Sequence, residues 1–294
     1  MTLLKEQLQG FVPTERANEI MKKVTLGSTV LKLSNVQEMK SDTKVFPMLS
    51  SGAGAYWVGE SERIQTSGVE YIFPEIVAKK LAVIIPVTRE KLNDTTIDVF
   101  TELEGEISKA FYKAIDSACL FGVASPFTKN IFGAATAAGN LVAKGTNASL
   151  DLDVSDVMAL VEDEGLDVDA FVGHRGIKNS LRKLRDGNNN ALYVDGVNQK
   201  ELYSIPVEFA DNSSFDKTKA DLLAGNFDYS IVGIRQGIEY DILKEATLQN
   251  TLGADGKPIS LAEQDLIAIR ATMRLGFLPI KDEAFAALTP QVQA

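Results

Sequence analysis

Between residues 97 and 118, Ile97, Phe100, Leu103, Ile107, Phe111, Ala114 and Ala118 recur at steps of three and four. That spacing predicts an amphipathic helix over about 96–121, with Asp94 or Thr96 as its cap and Gly122 as its stop. Glu102, Glu104 and Glu106 fall in its first half and Lys109 and Lys113 in its second, which complements the helix dipole. Alternation governs the chain before it. Trp57 to Phe73 reads as a long hairpin, with a polar tip from Ser61 to Gly68 and Val69, Tyr71 and Phe73 alternating on the return. Leu81, Val83, Ile85 and Val87 then mark a half-buried strand. Residues 1–44 are polar and poorly patterned; Ile20, Met21 and Val24 make one short amphipathic turn, so this segment is expected to be an extended arm laid on another surface.

The second half mixes both periods. A helix is expected at about 155–164, capped by Ser155, then a short strand at Ala170 to Gly173 and a basic helix carrying Arg175, Lys178, Arg182, Lys183 and Arg185. Further strands are expected at Tyr203 to Phe209, Tyr229 to Leu243 and Leu266 to Leu275. Strands and helices follow one another without a regular βαβ rhythm, so the class is α+β.

Composition narrows the function. The 294 residues hold one cysteine, Cys119, and one histidine, His174, which leaves no intrachain disulfide or multi-cysteine metal site and a single imidazole for acid–base work. No cofactor or metal is expected. No apolar run is long enough for a membrane helix, and Met1 to Glu6 lacks the basic-then-apolar start of a secretory signal. Net charge is −10, opposite to what gripping phosphates requires. Residues 1–44 are mildly basic, with seven Lys/Arg against five Asp/Glu, so an acidic body follows a basic arm.

Three motifs invite a chemical reading and fail it. Asp151, Asp153, Ser155 and Glu162 match four positions of a calcium loop, but Asp156 stands where the sharp turn needs glycine. His174 beside Arg175 has no nucleophile elbow, and the glycines from 225 to 237 form no phosphate loop. The stretch Asp151 to Asp169 holds eight acids and no Lys or Arg, directly before the basic run Arg175 to Arg185; two readings stand, two solvated faces or complementary surfaces between identical subunits.

The ordered set of segments resembles one family. Tyr56-Trp57-Val58-Gly59-Glu60 opens the hairpin, Lys80 to Thr88 and Glu90 to Asp94 precede the long helix, and Ala114 to Gly122 closes it. Arg270 to Phe277 and Ala284-Phe285 complete a set similar to the major capsid proteins of tailed bacteriophages, which share the Hong Kong phage fold. The resemblance implies an N-terminal arm (1–50) and a peripheral domain (51–149 and 263–294) with an extended hairpin loop (54–76) and the spine helix. It also implies an axial domain (150–262). It further implies pentamers and hexamers in an icosahedral shell around double-stranded DNA, assembled in the host cytoplasm and found in the virion, with a scaffolding protein and a portal as partners and no membrane. Contacts between subunits are expected at Trp57, Glu60, Glu62, Arg63 and Glu70 on the hairpin and at the charged axial residues Arg175, Arg182 and Arg185. Some members crosslink through a hairpin lysine; residues 57–73 have none, so a shell held non-covalently is expected. A bacterial nanocompartment shell of the same fold and an α+β small-molecule enzyme are the competing readings.

Overall fold

The computed structural model describes residues 14–51, 55–60, 62–63, 66–90, 99–185, 188–190, 201–211, 213–252 and 256–291. Two sheets organise them, beside small two-stranded ribbons, one of them β13 (Thr247–Leu252) with β14 (Pro258–Ser260). The first has four strands in the order β1 (Asn35–Glu38), β12 (Ser230–Leu243), β15 (Leu266–Pro279) and β6 (Lys79–Thr88). β12 and β15 are antiparallel and 14 residues each, β6 runs antiparallel to β15 from Leu275↔Lys79 to Leu266↔Thr88, and β1 lies parallel to β12. The expected helix is α3 (Val99–Phe121), about 34 Å long, whose Ile107, Phe111 and Ile115 share one core with Ile269, Ala271, Met273 and Phe277. Its expected caps, Asp94 and Thr96, lie outside the described residues.

β15 does not alternate as a half-buried strand would: only Leu266, Arg270 and Arg274 escape full burial. It is a central strand covered on both faces, which removes the polar half of the pattern.

The second sheet has six strands in the order β7 (Leu141–Ala143), β16 (Phe285–Thr289), β11 (Leu222–Gly225), β8 (Ala170–His174), β10 (Ile205–Ala210) and β9 (Glu201–Leu202). One face buries Val172, Leu223, Phe285 and Ala287 against the core of the first sheet, through α4 (Ile131–Ala138) and α3. The other face carries α5 (Leu150–Glu162) and α6 (Ile177–Arg182) over Phe171, Val207, Leu222 and Leu288. The sheets do not follow the segments expected from sequence strand for strand. β12, within 150–262, belongs to the four-stranded sheet, and β16, within 263–294, joins the six-stranded one. Strand pairing, which residue patterns do not specify, sets these memberships.

Three local readings differ from the structure. α5 begins at Leu150 with Ser149 at its N-cap, not at Ser155, because Asp153 turns inward and accepts from Gly145 N (2.7 Å) and Asn147 N (2.8 Å). That carboxylate, part of the calcium-like spacing, closes its own loop instead.

Residues 14–39 are not an extended arm. They form α1 (Thr14–Gly27), α2 (Thr29–Leu33) and β1, and bury Val24, Val30, Leu31 and Met39 completely or nearly so. The apolar positions are few, but Val24, Val30 and Leu31 join the core that α3 and β12 share, while Leu26 and Val36 stay exposed.

The third difference is the hairpin. Its strands are β2 (Thr43–Val45) with β5 (Glu75–Val77) and β3 (Met48–Ser51) with β4 (Glu70–Ile72), so the ribbon starts about ten residues earlier than expected. Residues 55–59 carry no strand, and 61, 64 and 65 of the expected tip lie outside the described residues.

Candidate assembly surfaces

The ribbon is fastened firmly at one end and, among the described residues, left uncovered at the other. At its base, Met39 and Ile76 pack with Ala78, Ile231 and Leu278 in a small separate core. Gly233 and Gly276 make the close approach possible: a Cβ at Gly276 would lie 2.4 Å from Ile76 Cγ2 and 2.9 Å from Val77 O. Asp42 reinforces the joint, its carboxylate 3.1 Å from Arg274 and 3.6 Å from Arg235, while its carbonyl accepts from Ala78 N at 2.8 Å.

Beyond that base the side chains are apolar and bare. Trp57 is fully exposed, and Leu49, Tyr56, Tyr71, Ile72 and Phe73 are each exposed to 45% or more. An apolar run of this kind marks a surface that another molecule covers. A free two-stranded ribbon is also marginal by itself in water. The sequence-expected residues Trp57, Glu60, Glu62, Arg63 and Glu70 all lie on this ribbon and are exposed. Glu62 is committed locally, accepting from Gly59 N at 3.0 Å. Glu60, Arg63 and Glu70 form no ion pair among the described residues. Tyr71 and Phe73 are readable from alternation as strand positions, whereas Leu49 on the facing strand belongs to no such pattern.

A hollow of about 300 Å³ opens between β6, α3 and the turn that follows it, with Leu81, Ile115, Ala118, Pro126 and Phe127 as walls and Lys79 and Lys80 at the rim. It offers an apolar socket with no acid–base pair. No cluster of three metal-ligating side chains occurs among the described residues.

The basic residues Arg175, just before α6, Arg182, its last residue, and Arg185, beyond it, are exposed on the six-stranded sheet's side of the fold and are separate in sequence from the ribbon set. His174 precedes them with both ring nitrogens occupied: Nδ1 accepts from Gly176 N at 2.9 Å, and Nε2 lies 3.2 Å from Asp221. Burial holds its pKa below the ordinary value, against the raising pull of Asp221. Asp221 also pairs with Lys144 at 2.8 Å, so the imidazole ties β8, β11 and the end of β7 together rather than facing a cleft.

Sequence reasoning missed the clasp that holds the N-terminal helices. Asp116, on α3 and 1% exposed, accepts from Ser28 Oγ (2.6 Å), Thr29 N (3.0 Å) and Val30 N (3.2 Å). Burial pushes its carboxyl up to about 6, although all three donors pull the other way. The signal was present as an acid on the apolar side of an amphipathic helix.

The chain is similar to phage capsid proteins. The model of the phage capsid family matches residues 9–289. The major capsid protein of Staphylococcus phage 80alpha is 35% identical over 289 residues, covering 98% of this chain and 87% of that protein. A solved structure from Microbacterium phage Oxtober96 superposes with a TM-score of 0.81 at 30% identity, covering 90% of this chain and 91% of the other. One from Mycobacterium phage Adephagia gives 0.79 at 27% identity, covering 91% of each.

Proposed function

The chain belongs to the phage capsid family and carries its α+β Hong Kong phage fold, and from that premise we propose that it is a major capsid protein whose pentamers and hexamers close an icosahedral shell around double-stranded DNA. The observation that carries the proposal is the ribbon from Thr43 to Val77: anchored at its base, lined by exposed Leu49, Trp57, Tyr71 and Phe73, and left bare by the described residues. A neighbouring copy supplies the missing surface. Glu60, Arg63 and Glu70 then set the register of the ribbon on that neighbour. Each exposed charge pair contributes only about 0–1 kcal/mol, so repetition around the shell supplies the stability.

The shell is held without covalent crosslinks, because residues 57–73 contain no lysine. A scaffolding protein and a portal guide assembly in the host cytoplasm, and the finished subunit resides in the virion. Negative-stain microscopy of the purified chain, alone and with its genomic neighbours co-expressed, tests this. Closed shells or five- and six-membered rings are expected; a uniformly small particle under both conditions refutes it.

A further inference from the structure

The six-stranded sheet has two unlike ends, and the helices over them carry opposite charge. At the β7 end, α5 and the Asp163 that caps its C-terminus lay Asp156, Ala159, Leu160 and Asp163 in one stripe beside the open edge of β7. With Leu141 these side chains bound an open groove of about 390 Å³. Leu141 is 37% exposed on an edge strand whose only partner among the described residues is β16. The Asp163 carboxylate meets no cation among the described residues, and Glu162 and Glu164 beside it are exposed. This end is an acidic groove with an apolar floor.

The other end is basic. β10 lies four strand spacings from β7, about 19 Å away. Lys178 of α6 rests over the Phe209 ring of that strand at 4.1 Å. The same helix and its following turn expose Arg182, Lys183 and Arg185. None of the three pairs with a carboxylate among the described residues. Arg182 Nε donates to Lys178 O at 3.2 Å, and Arg185 Nη1 donates to the carbonyls of Arg182 and Leu184 at 2.8 and 3.0 Å.

A two-fold pairing through either end would set like charges face to face. A head-to-tail contact sets acid on base, and a head-to-tail contact with a rotation closes into a ring. Resting on the capsid reading above, we infer that the α5–β7 groove of one subunit receives Arg182, Lys183 and Arg185 of the next copy around each ring. The arginine stems lie on Leu141 and Leu160 and their guanidinium groups reach Asp156 and Asp163.

The experiment compares shells assembled from the full chain, co-expressed with its genomic neighbours, with those of Asp163→Arg, of Arg185→Glu and of the two variants expressed together. Far-UV circular dichroism of each soluble chain establishes that it folds. Each variant alone should lose at least tenfold in closed particles. Co-expressed, they can alternate around an even-numbered ring with every contact complementary, while a five-membered ring keeps one mismatched contact. Recovery of six-membered rings without a matching recovery of closed shells is the expected result. Wild-type shells together with folded variants that assemble as well as wild type overturn the inference and leave the capsid reading standing. If the wild-type chain gives neither rings nor shells, the capsid reading falls and the inference with it.

Discussion

Replacing Asp116 tests whether a single buried carboxylate fastens the N-terminal helices to the spine. In Asp116→Ala, the N–H groups of Thr29 and Val30 lose their acceptor inside a region where both residues are buried. An orphaned buried donor costs about 1–3 kcal/mol, and because the five-residue α2 can fray toward water the pair should cost about 2–4 kcal/mol at pH 5. Asp116→Asn separates hydrogen bonding from charge. The folded-state pKa, about 6, lies above the ordinary aspartate value of 3.8, so the native chain holds this proton more tightly than the unfolded chain does. The group's stabilising contribution is therefore fully present below about pH 4 and is lost as pH rises through 6. A shift of this size corresponds to about 3 kcal/mol. Asparagine lacks that loss but offers one acceptor fewer. It should be less stable than wild type by about 1–2 kcal/mol at pH 4, and as stable or more so at pH 8.

Urea unfolding of the dissociated chain, followed by circular dichroism at several pH values, reads the difference between variant and wild type. Taking that difference cancels the pH dependence of other carboxylates, including Asp211 and Asp216, which hydrogen bonds hold low. Tryptic cutting after Lys22 and Lys23 in α1 should accelerate at least tenfold in the alanine variant. A variant-to-wild-type difference that stays constant from pH 4 to pH 8 would refute the charge argument. Unchanged proteolysis in Asp116→Ala would refute the clasp.

Other perturbations separate the fold from assembly. Trp57→Ala removes a fully exposed side chain and should leave the chain's urea midpoint within about 0.5 kcal/mol of wild type while lowering the yield of closed particles severalfold; an equal loss in both would place Trp57 in the fold instead. Gly276→Ala forces a Cβ against Ile76 and the Val77 backbone and should destabilise the chain by about 1–3 kcal/mol, measured by thermal unfolding; a neutral effect would show that the ribbon base can shift. On a denaturing gel, mature particles should run as one monomer band, and a ladder of multimers would contradict non-covalent closure. His174→Gln should leave assembled particles intact, because the imidazole ties strands inside one chain; dissolution of the shell would place it at a contact.

Much of this protein is written locally. The steps of three and four from Leu103 to Ala118 determine a helix in any context, and the stretch at Leu81 to Val87 determines a strand, because side-chain period and backbone period coincide there. The missing lysine between 57 and 73 and the single His and Cys likewise belong to the sequence alone. Tertiary structure decided the rest. Whether residues 21–39 form an arm or a wall of the core depended on Asp116, far along the chain and invisible to any local window. Sheet membership of β12 and β16 depended on hydrogen bonds between segments whose own patterns are indifferent to partner. The same holds for the ribbon. Its alternating Val69, Tyr71 and Phe73 read as the return arm of a projecting hairpin, and among the described residues no core covers Tyr71 and Phe73. Alternation tells which side chains seek cover, while only the position of the backbone in space tells whether that cover comes from the same molecule or from another.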